Sequence, residues 1–199
     1  MATDLAGVLR AASAGAGPGS SDFDLNPDVI QPEGRKLRPA GVLVAVDCTG
    51  VEPCVILTKR ASGLKHHPGQ IAFPGGKVDP GDADETAAAL REAEEEVGLP
   101  RDAVEVLGRL PSHETVTGFV VTPILGRITR PFVPVAEAGE VEEVFSVPLA
   151  HVTDPARFSI QSRRWRGQRR QYYAVPWGPY YIWGATARIL RGLAERMPR

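Results

Sequence analysis

Between Arg91 and Leu99 the chain reads Arg-Glu-Ala-Glu-Glu-Glu-Val-Gly-Leu, four carboxylates in five positions at the end of a helical pattern. Asp82 with Glu85 three residues on resembles a capping box, and Gly98 is placed as a C-terminal cap, so a helix is expected over Asp82–Val97. At ~100° per residue, Glu92, Glu95 and Glu96 fall within about 100° of one another, while Thr86, Leu90, Ala93 and Val97 form an apolar stripe roughly 140° away. Acid faces one way and core the other. Glu92 and Glu96 are an i, i+4 like-charge pair costing about 0.2–0.5 kcal/mol, and the helix dipole at this end disfavours each anion by ~0.3–1 kcal/mol. Local physics opposes the arrangement.

One reading is a solvated acidic face. The other starts from the tight Pro74-Gly75-Gly76 turn just before the helix, which can bring backbone carbonyls near the same carboxylates. Carboxylates plus carbonyl oxygen, with neither His nor Cys among them, are hard ligands of the kind that suit Mg²⁺ or Mn²⁺. A divalent ion there converts repulsion into binding, and such sites complete their shell with substrate phosphate oxygens.

Strand-like runs surround this helix. Val42–Asp47, Val55–Arg60, Ile71–Phe73, Val104–Leu110, Phe119–Ile128 and Glu143–Val147 read as strands, and Arg163–Arg166 with Arg169–Val175 as a hairpin through Gly167 and Gln168. Tyr181–Met197 reads as a closing helix with Ile182, Thr186, Ile189, Leu193 and Met197 along one face. Strands dominate, with one central and one terminal helix, which predicts an α/β (α+β) chain built on a mixed sheet covered on both faces. With 199 residues, one domain is expected, at roughly 100–200 residues per domain. Leu5–Ala12 forms a short helix, and Ala14–Ser21 a flexible Gly/Ser linker whose glycines complete no dinucleotide fingerprint.

Hydrophobic residues at 43% and charged residues at 24% are typical of a globular protein. The apolar run Gly41–Val46 falls far short of the ~20 residues that a membrane-spanning helix needs, so no membrane span is expected. The N-terminus lacks a signal-peptide pattern, and Cys48 and Cys54 make neither a disulfide scaffold nor a metal-ligand spacing; a reduced, cytoplasmic setting is the expectation.

Charge is unevenly spread. Residues 161–199 hold nine arginines against Glu195, while Asp79 to Glu105 holds ten carboxylates against Arg91 and Arg101. Arg163, Arg164, Arg166, Arg169 and Arg170 surround Trp165 and precede Tyr172 and Tyr173, a mixture suited to single-stranded RNA. An RNA-binding or RNA-cap-processing role is therefore carried as an alternative. A solvated hairpin, a contact with an acidic nucleotide, or a homodimer partner would use the same residues.

At this point the residues resemble a known family. The Nudix box is G-x5-E-x7-R-E-U-x-E-E-x-G-U, with U apolar, and its second half matches Arg91, Glu92, Ala93, Glu95, Glu96, Gly98 and Leu99 position for position. Counted from Gly76, the first acidic position falls on Asp82, Asp for Glu, and Arg91 comes one residue later than the standard spacing. That variation is similar to the branch that cleaves coenzyme A, which carries an upstream signature L-L-T-x-R-S-x-x-L-R-x-x-x-G-x-x-x-F-P-G-G. Here Ile56-Leu57-Thr58-Lys59-Arg60-Ala61 opens the corresponding stretch and Phe73-Pro74-Gly75-Gly76 closes it. Lys65 stands for the second Arg, keeping the charge but losing the bidentate fork. Phe119–Pro123 and Ile182–Ala187 also look like that branch.

The resemblance implies a Nudix-type α/β/α sandwich with a mixed β-sheet, an N-terminal extension over residues 1–35 and a single hydrolase domain over 36–199. It implies metal-dependent hydrolysis of the diphosphate of coenzyme A or a derivative, giving 3′,5′-ADP and 4′-phosphopantetheine. Another nucleoside diphosphate derivative, such as ADP-ribose or a nucleoside triphosphate, is the alternative. By transfer, Glu92, Glu95, Glu96 and the Gly76 carbonyl hold Mg²⁺ or Mn²⁺, with Glu92, Glu95 and Arg91 as catalytic residues. Arg91 is expected to orient the cluster by pairing with Asp82 or Glu95. Glu92 or a later carboxylate, Glu114, Glu140 or Glu143, is the base. Arg60, Lys65, His66 and Gly75 are the substrate-binding candidates; contact with phosphate or help in proton transfer is the functional reading of His66, His67 and His113, against a loop histidine without a role, which is favoured for any single one. The partner implied is a small molecule, coenzyme A or a related nucleotide diphosphate; nucleic acid is the less favoured ligand.

Overall fold

A computed structural model describes residues 4–15, 17–29, 34–165 and 167–198. Among the described residues, eleven strands and four α-helices run in the order α1 (Leu5–Ser13), β1 (Ser20–Ser21), β2 (Arg38–Asp47), β3 (Cys54–Arg60), β4 (Ile71–Ala72), β5 (Gly75–Lys77), α2 (Glu85–Val97), β6 (Val104–Arg109), β7 (His113–Glu114), β8 (Phe119–Ile128), β9 (Val141–Pro148), α3 (Leu149–Val152), β10 (Ser159–Trp165), β11 (Gln168–Ala174) and α4 (Ala185–Arg196).

Nine strands form one mixed sheet on the path β1-β7-β8-β2-β3-β4, with β5 on β2, β6 on β8 and β9 on β3. Its spine is the parallel pair β2 and β8, in register from Arg38↔Phe119 to Asp47↔Ile128. Alternation along β2 sorts the core into two layers. Leu43 and Ala45, with Ile56 of β3, pack on Ala89, Ala93 and Val97 of α2. Val44, Val46, Val55 and Leu57 face the other way, onto Leu9 of α1, Leu149 and Val152 of α3, and Ile189, Leu190 and Leu193 of α4. The sandwich of helix, mixed sheet and helix expected from the sequence is the one observed.

Other elements depart from expectation. The Pro74-Gly75-Gly76 stretch is not only a turn: Gly75–Lys77 pairs with β2, Gly76 opposite Gly41. Tyr181–Gly184 is outside the closing helix, because Gly184 at φ 66° breaks it and Trp183 bridges back to Ala174. The Gly/Ser linker ends in structure, since Ser20 and Ser21 pair in parallel with β7. That strap is clamped by two side chains. Buried His113 joins Ser20 Oγ through Nδ1 at 2.9 Å and Asp22 Oδ1 through Nε2 at 3.2 Å. Buried Asn26 donates to the Asp22 and Gln171 carbonyls at 3.0 Å and accepts the Gln171 N–H at 2.8 Å. The expected hairpin is β10–β11, starting earlier than predicted; Arg166 lies outside the described residues.

Candidate active site

The helix that carries the acids starts at Glu85, three residues later than its sequence suggests. Asp84, extended at φ −164°, accepts the Ala87 N–H on Oδ1 at 2.9 Å and is the N-cap, while Gly98 at φ 69° closes the C-terminus as expected. Asp82 is thereby released from capping and turned to Arg91. It accepts Arg91 Nε at 3.0 Å and Nη2 at 2.9 Å, a bidentate fork. In the loop before the helix the Asp79 N–H donates to Asp82 Oδ2 at 2.9 Å, closing a turn. These two donors, Arg91 first, pull the Asp82 pKa down to about 2.

Arg91 then spans the cluster. Its Nη1 donates to Glu92 Oε1 and to Glu95 Oε2, both at 3.0 Å, and Nη2 reaches the Lys77 carbonyl at 3.4 Å. The pairing expected with Asp82 or Glu95 occurs with both. Its guanidinium is held more firmly protonated than usual, chiefly by the bond to Asp82.

The three glutamates do not share one solvated face. Glu96 is 4% exposed, among Ala88, Ala89, Ala93 and Val97, whereas Thr86 and Leu90 of the expected stripe are only partly buried. The reason is coverage from two sides. The β8–β9 loop lies over the end of α2, with Val135 N–H on the Val97 carbonyl and Glu137 N–H on the Glu96 carbonyl, both at 3.0 Å. On the other side the Gly75 N–H donates to Glu96 Oε2 at 3.0 Å. Gly75, expected to touch substrate, gives its amide to this carboxylate. Burial pushes the Glu96 pKa up to about 7, helped by the charges of Glu92 and Glu140 and opposed by the Gly75 amide and Arg60. Glu92 is raised as well, again by burial first. Its carboxylate lies so close to Gly76 that a Cβ there would stand 2.4 Å from Oε1. Glu95 is about half exposed.

Among the described residues, no three His, Cys, Asp or Glu side chains gather around one point, because Arg91 spans Glu92 and Glu95 and Gly75 holds Glu96. The donor set still fits a hard divalent ion. It consists of carboxylate oxygens, two of them short of water, next to a glycine with no side chain to block approach.

Around this cluster the other candidates separate. Arg60 ends β3, its charge lowers the Glu96 pKa, and its buried Nε has no hydrogen-bond partner. Lys65 and His66 are exposed on the loop that follows and make no described hydrogen bond or ion pair with the glutamates. Glu114 is paired to Arg35 at 2.9 Å, and Glu143 accepts the Tyr180 hydroxyl at 2.5 Å. Glu140 bears on both Glu92 and Glu96. His113 is no loop residue; it is the fully buried clamp of the strap. Two contributors were missed, Lys77 through its carbonyl and the loop residues over α2, because backbone donors and acceptors leave no mark in side-chain patterns.

The NUDIX domain model matches residues 36–167. A Nudix hydrolase NudL of Cronobacter sakazakii, itself named as uncharacterized, is 46% identical over 79% of this chain and 81% of its own. Its counterpart in Salmonella heidelberg is 44% identical over 87% of this chain and 90% of its own. A crystal structure of a Nudix hydrolase from M. smegmatis aligns at 23% identity over 70% of this chain and 84% of that one, with a TM-score of 0.49. A domain match across two-thirds of the sequence, with relatives this similar, means that the chain belongs to the Nudix family.

Proposed function

We propose that this protein hydrolyses the diphosphate bond of coenzyme A or a derivative, releasing 3′,5′-ADP and 4′-phosphopantetheine or its acylated form. The observation that supports the reading is the meeting of two signatures: Gly75 from the upstream one gives its amide to Glu96 of the Nudix box at 3.0 Å, and the charge of Arg60 acts on the same carboxylate. A guanidinium with an unpartnered buried Nε next to a carboxylate cluster is placed to receive diphosphate oxygens.

Glu92, Glu95 and Glu96 are the residues that would hold Mg²⁺ or Mn²⁺, and such an ion neutralises phosphate charge and acidifies a bound water. The chain's own contributions are positional. Arg91, pinned by Asp82, sets where Glu92 and Glu95 point, and the Gly75 amide sets Glu96. Arg60 orients the diphosphate. Burial of Glu96 keeps water away from one side of the cluster, so attack comes from the open side, where Glu92 or Glu140 accepts the proton. Glu140 is favoured over Glu114 and Glu143, which are engaged by Arg35 and Tyr180.

The test is product analysis by mass spectrometry with coenzyme A, acyl-coenzyme A, ADP-ribose and nucleoside triphosphates, in H₂¹⁸O, with and without EDTA. The expected result is 3′,5′-ADP from coenzyme A, with one product labelled at phosphorus and no turnover in EDTA. Faster turnover of ADP-ribose or a triphosphate overturns the substrate.

A further inference from the structure

The β10–β11 hairpin forms its own two-stranded sheet, outside the nine-stranded one. Its register sets Arg163 opposite Arg170 and Arg164 opposite Arg169. Like charges directly opposite across an antiparallel pair are destabilising. Successive residues point to opposite faces of the hairpin, so Arg163 shares a face with Arg170 and not with Arg164 and Arg169. Elsewhere on the surface Arg10, Arg101, Arg109, Arg127 and Arg130 are each paired with a carboxylate. Among the described residues, Arg163, Arg164 and Arg169 are in no such pair.

Arg163 is also held in place. Its guanidinium lies 4.2 Å over the Trp183 ring, and Tyr172 meets that ring edge-on at 5.0 Å. The Tyr172 and Tyr181 hydroxyls are 3.3 Å apart, and Tyr181 is 45% exposed. Stacking fixes the plane of the guanidinium and leaves its N–H groups for an anion. The platform connects to the catalytic side through one residue. A Cβ on Gly184, next to Trp183, would stand 3.7 Å from Gln70 Nε2, and the Gln70 carbonyl accepts the Arg60 N–H at 3.0 Å.

We infer that this platform receives the nucleoside half of the substrate. Arg163 binds a phosphate monoester remote from the scissile diphosphate, and the exposed Tyr181 ring lies along the base. The inference rests on the reading above, in which the substrate carries such a second phosphate, and it gives that phosphate a cation distinct from Arg60. A compact nucleotide is favoured over a nucleic acid strand, because a long polyanion continuing past Gln70 and Arg60 would meet the carboxylates of residues 79–105.

The experiment uses the full chain in EDTA, where no turnover obscures binding, and compares 3′,5′-ADP with 5′-AMP by calorimetry. The wild type is expected to bind 3′,5′-ADP at least about tenfold more tightly, a charge-assisted contact's worth. Arg163→Gln is expected to bring the two within about twofold, and Arg163→Lys to restore part of the gap. In turnover, the kcat/KM ratio of coenzyme A to dephospho-coenzyme A falls about tenfold in Arg163→Gln. Circular dichroism of each variant establishes that the hairpin is folded. Equal binding of both nucleotides by the wild type, or an unchanged gap in folded Arg163→Gln, overturns the inference. So does tighter, steeply salt-dependent binding of single-stranded oligouridylate. Failure of coenzyme A turnover alongside an intact 3′-phosphate preference would instead overturn the proposed substrate and leave the platform standing.

Discussion

The Gly75 amide donates to Glu96 Oε2 at 3.0 Å, so that a backbone N–H fixes the one glutamate of the box that is buried. Glu95, one residue away, is held instead by Arg91 and stays half exposed. The two neighbours therefore answer differently to the same change. Glu96→Gln removes a buried charge and is expected to raise the melting temperature of the metal-free protein, while Glu95→Gln shifts it little, since an exposed pair is worth about 0–1 kcal/mol. Both are expected to lose at least about 100-fold in kcat, a carboxylate ligand being worth several kcal/mol to a metal-assisted step. Calorimetry and turnover check the pair; wild-type turnover in either ends its assignment as a ligand.

Gly76 and Gly41 face each other across β5 and β2, yet alanine at each does separate damage. At Gly76 the new methyl meets Glu92 Oε1 at 2.4 Å, the end of a flexible side chain, so activity falls while stability changes by under about 1 kcal/mol. At Gly41 it meets the Glu85 carbonyl oxygen at 1.9 Å, which is helix backbone, and the expected loss is about 1–3 kcal/mol or more. Urea unfolding alongside kinetics distinguishes the two.

Acid sensitivity follows from Asp82. Its folded pKa of about 2 lies below the ordinary value of about 3.9, so its contribution is complete above pH ~4 and is lost as pH falls towards 2. Asp82→Asn is expected to be less stable at pH 7 and to lose less on going from pH 4 to pH 2.5. Urea midpoints across that range show the convergence of the two proteins, and parallel curves would refute it.

Asn26 bridges the N-terminal strap to β11 through two hydrogen bonds with Gln171, and a third, to the Asp22 carbonyl, holds it within the strap. Asn26→Ala removes both bonds to Gln171 as well as the one to Asp22, from a buried position, and is expected to cost about 1–3 kcal/mol. Hydrogen exchange is the measurement: amides of 20–26 and 168–174 exchange faster together, while β2 and β8 keep their protection.

What could be read from the sequence was whatever repeats or spaces itself. Alternation in β2 and β8 and the Gly98 stop were plain, and so was the motif that delivers Glu92, Glu95, Glu96 and Arg91 to one helix end. Competition between equivalent residues was not. Asp82 and Asp84 both suit a cap, and only the extended backbone of Asp84 and the reach of Arg91 decide which one serves. The burial of Glu96 was hidden for another reason, since the residues that cover it come from β5 and the β8–β9 loop, far from it along the chain. Helical angles place a side chain relative to its own axis and say nothing of what arrives from elsewhere.

The parallel spine has a consequence for biosynthesis. Because β2 pairs with β8, and parallel neighbours require a crossover, everything from Arg60 to Glu96 is translated inside a loop still waiting to be closed. A nascent chain halted before Phe119 displays Leu43, Val44, Ala45 and Val46 on an edge with no neighbour, and the glutamate-bearing helix has only half a floor to settle on. Competence for chemistry therefore comes late, with the arrival of a strand that contributes none of the acids.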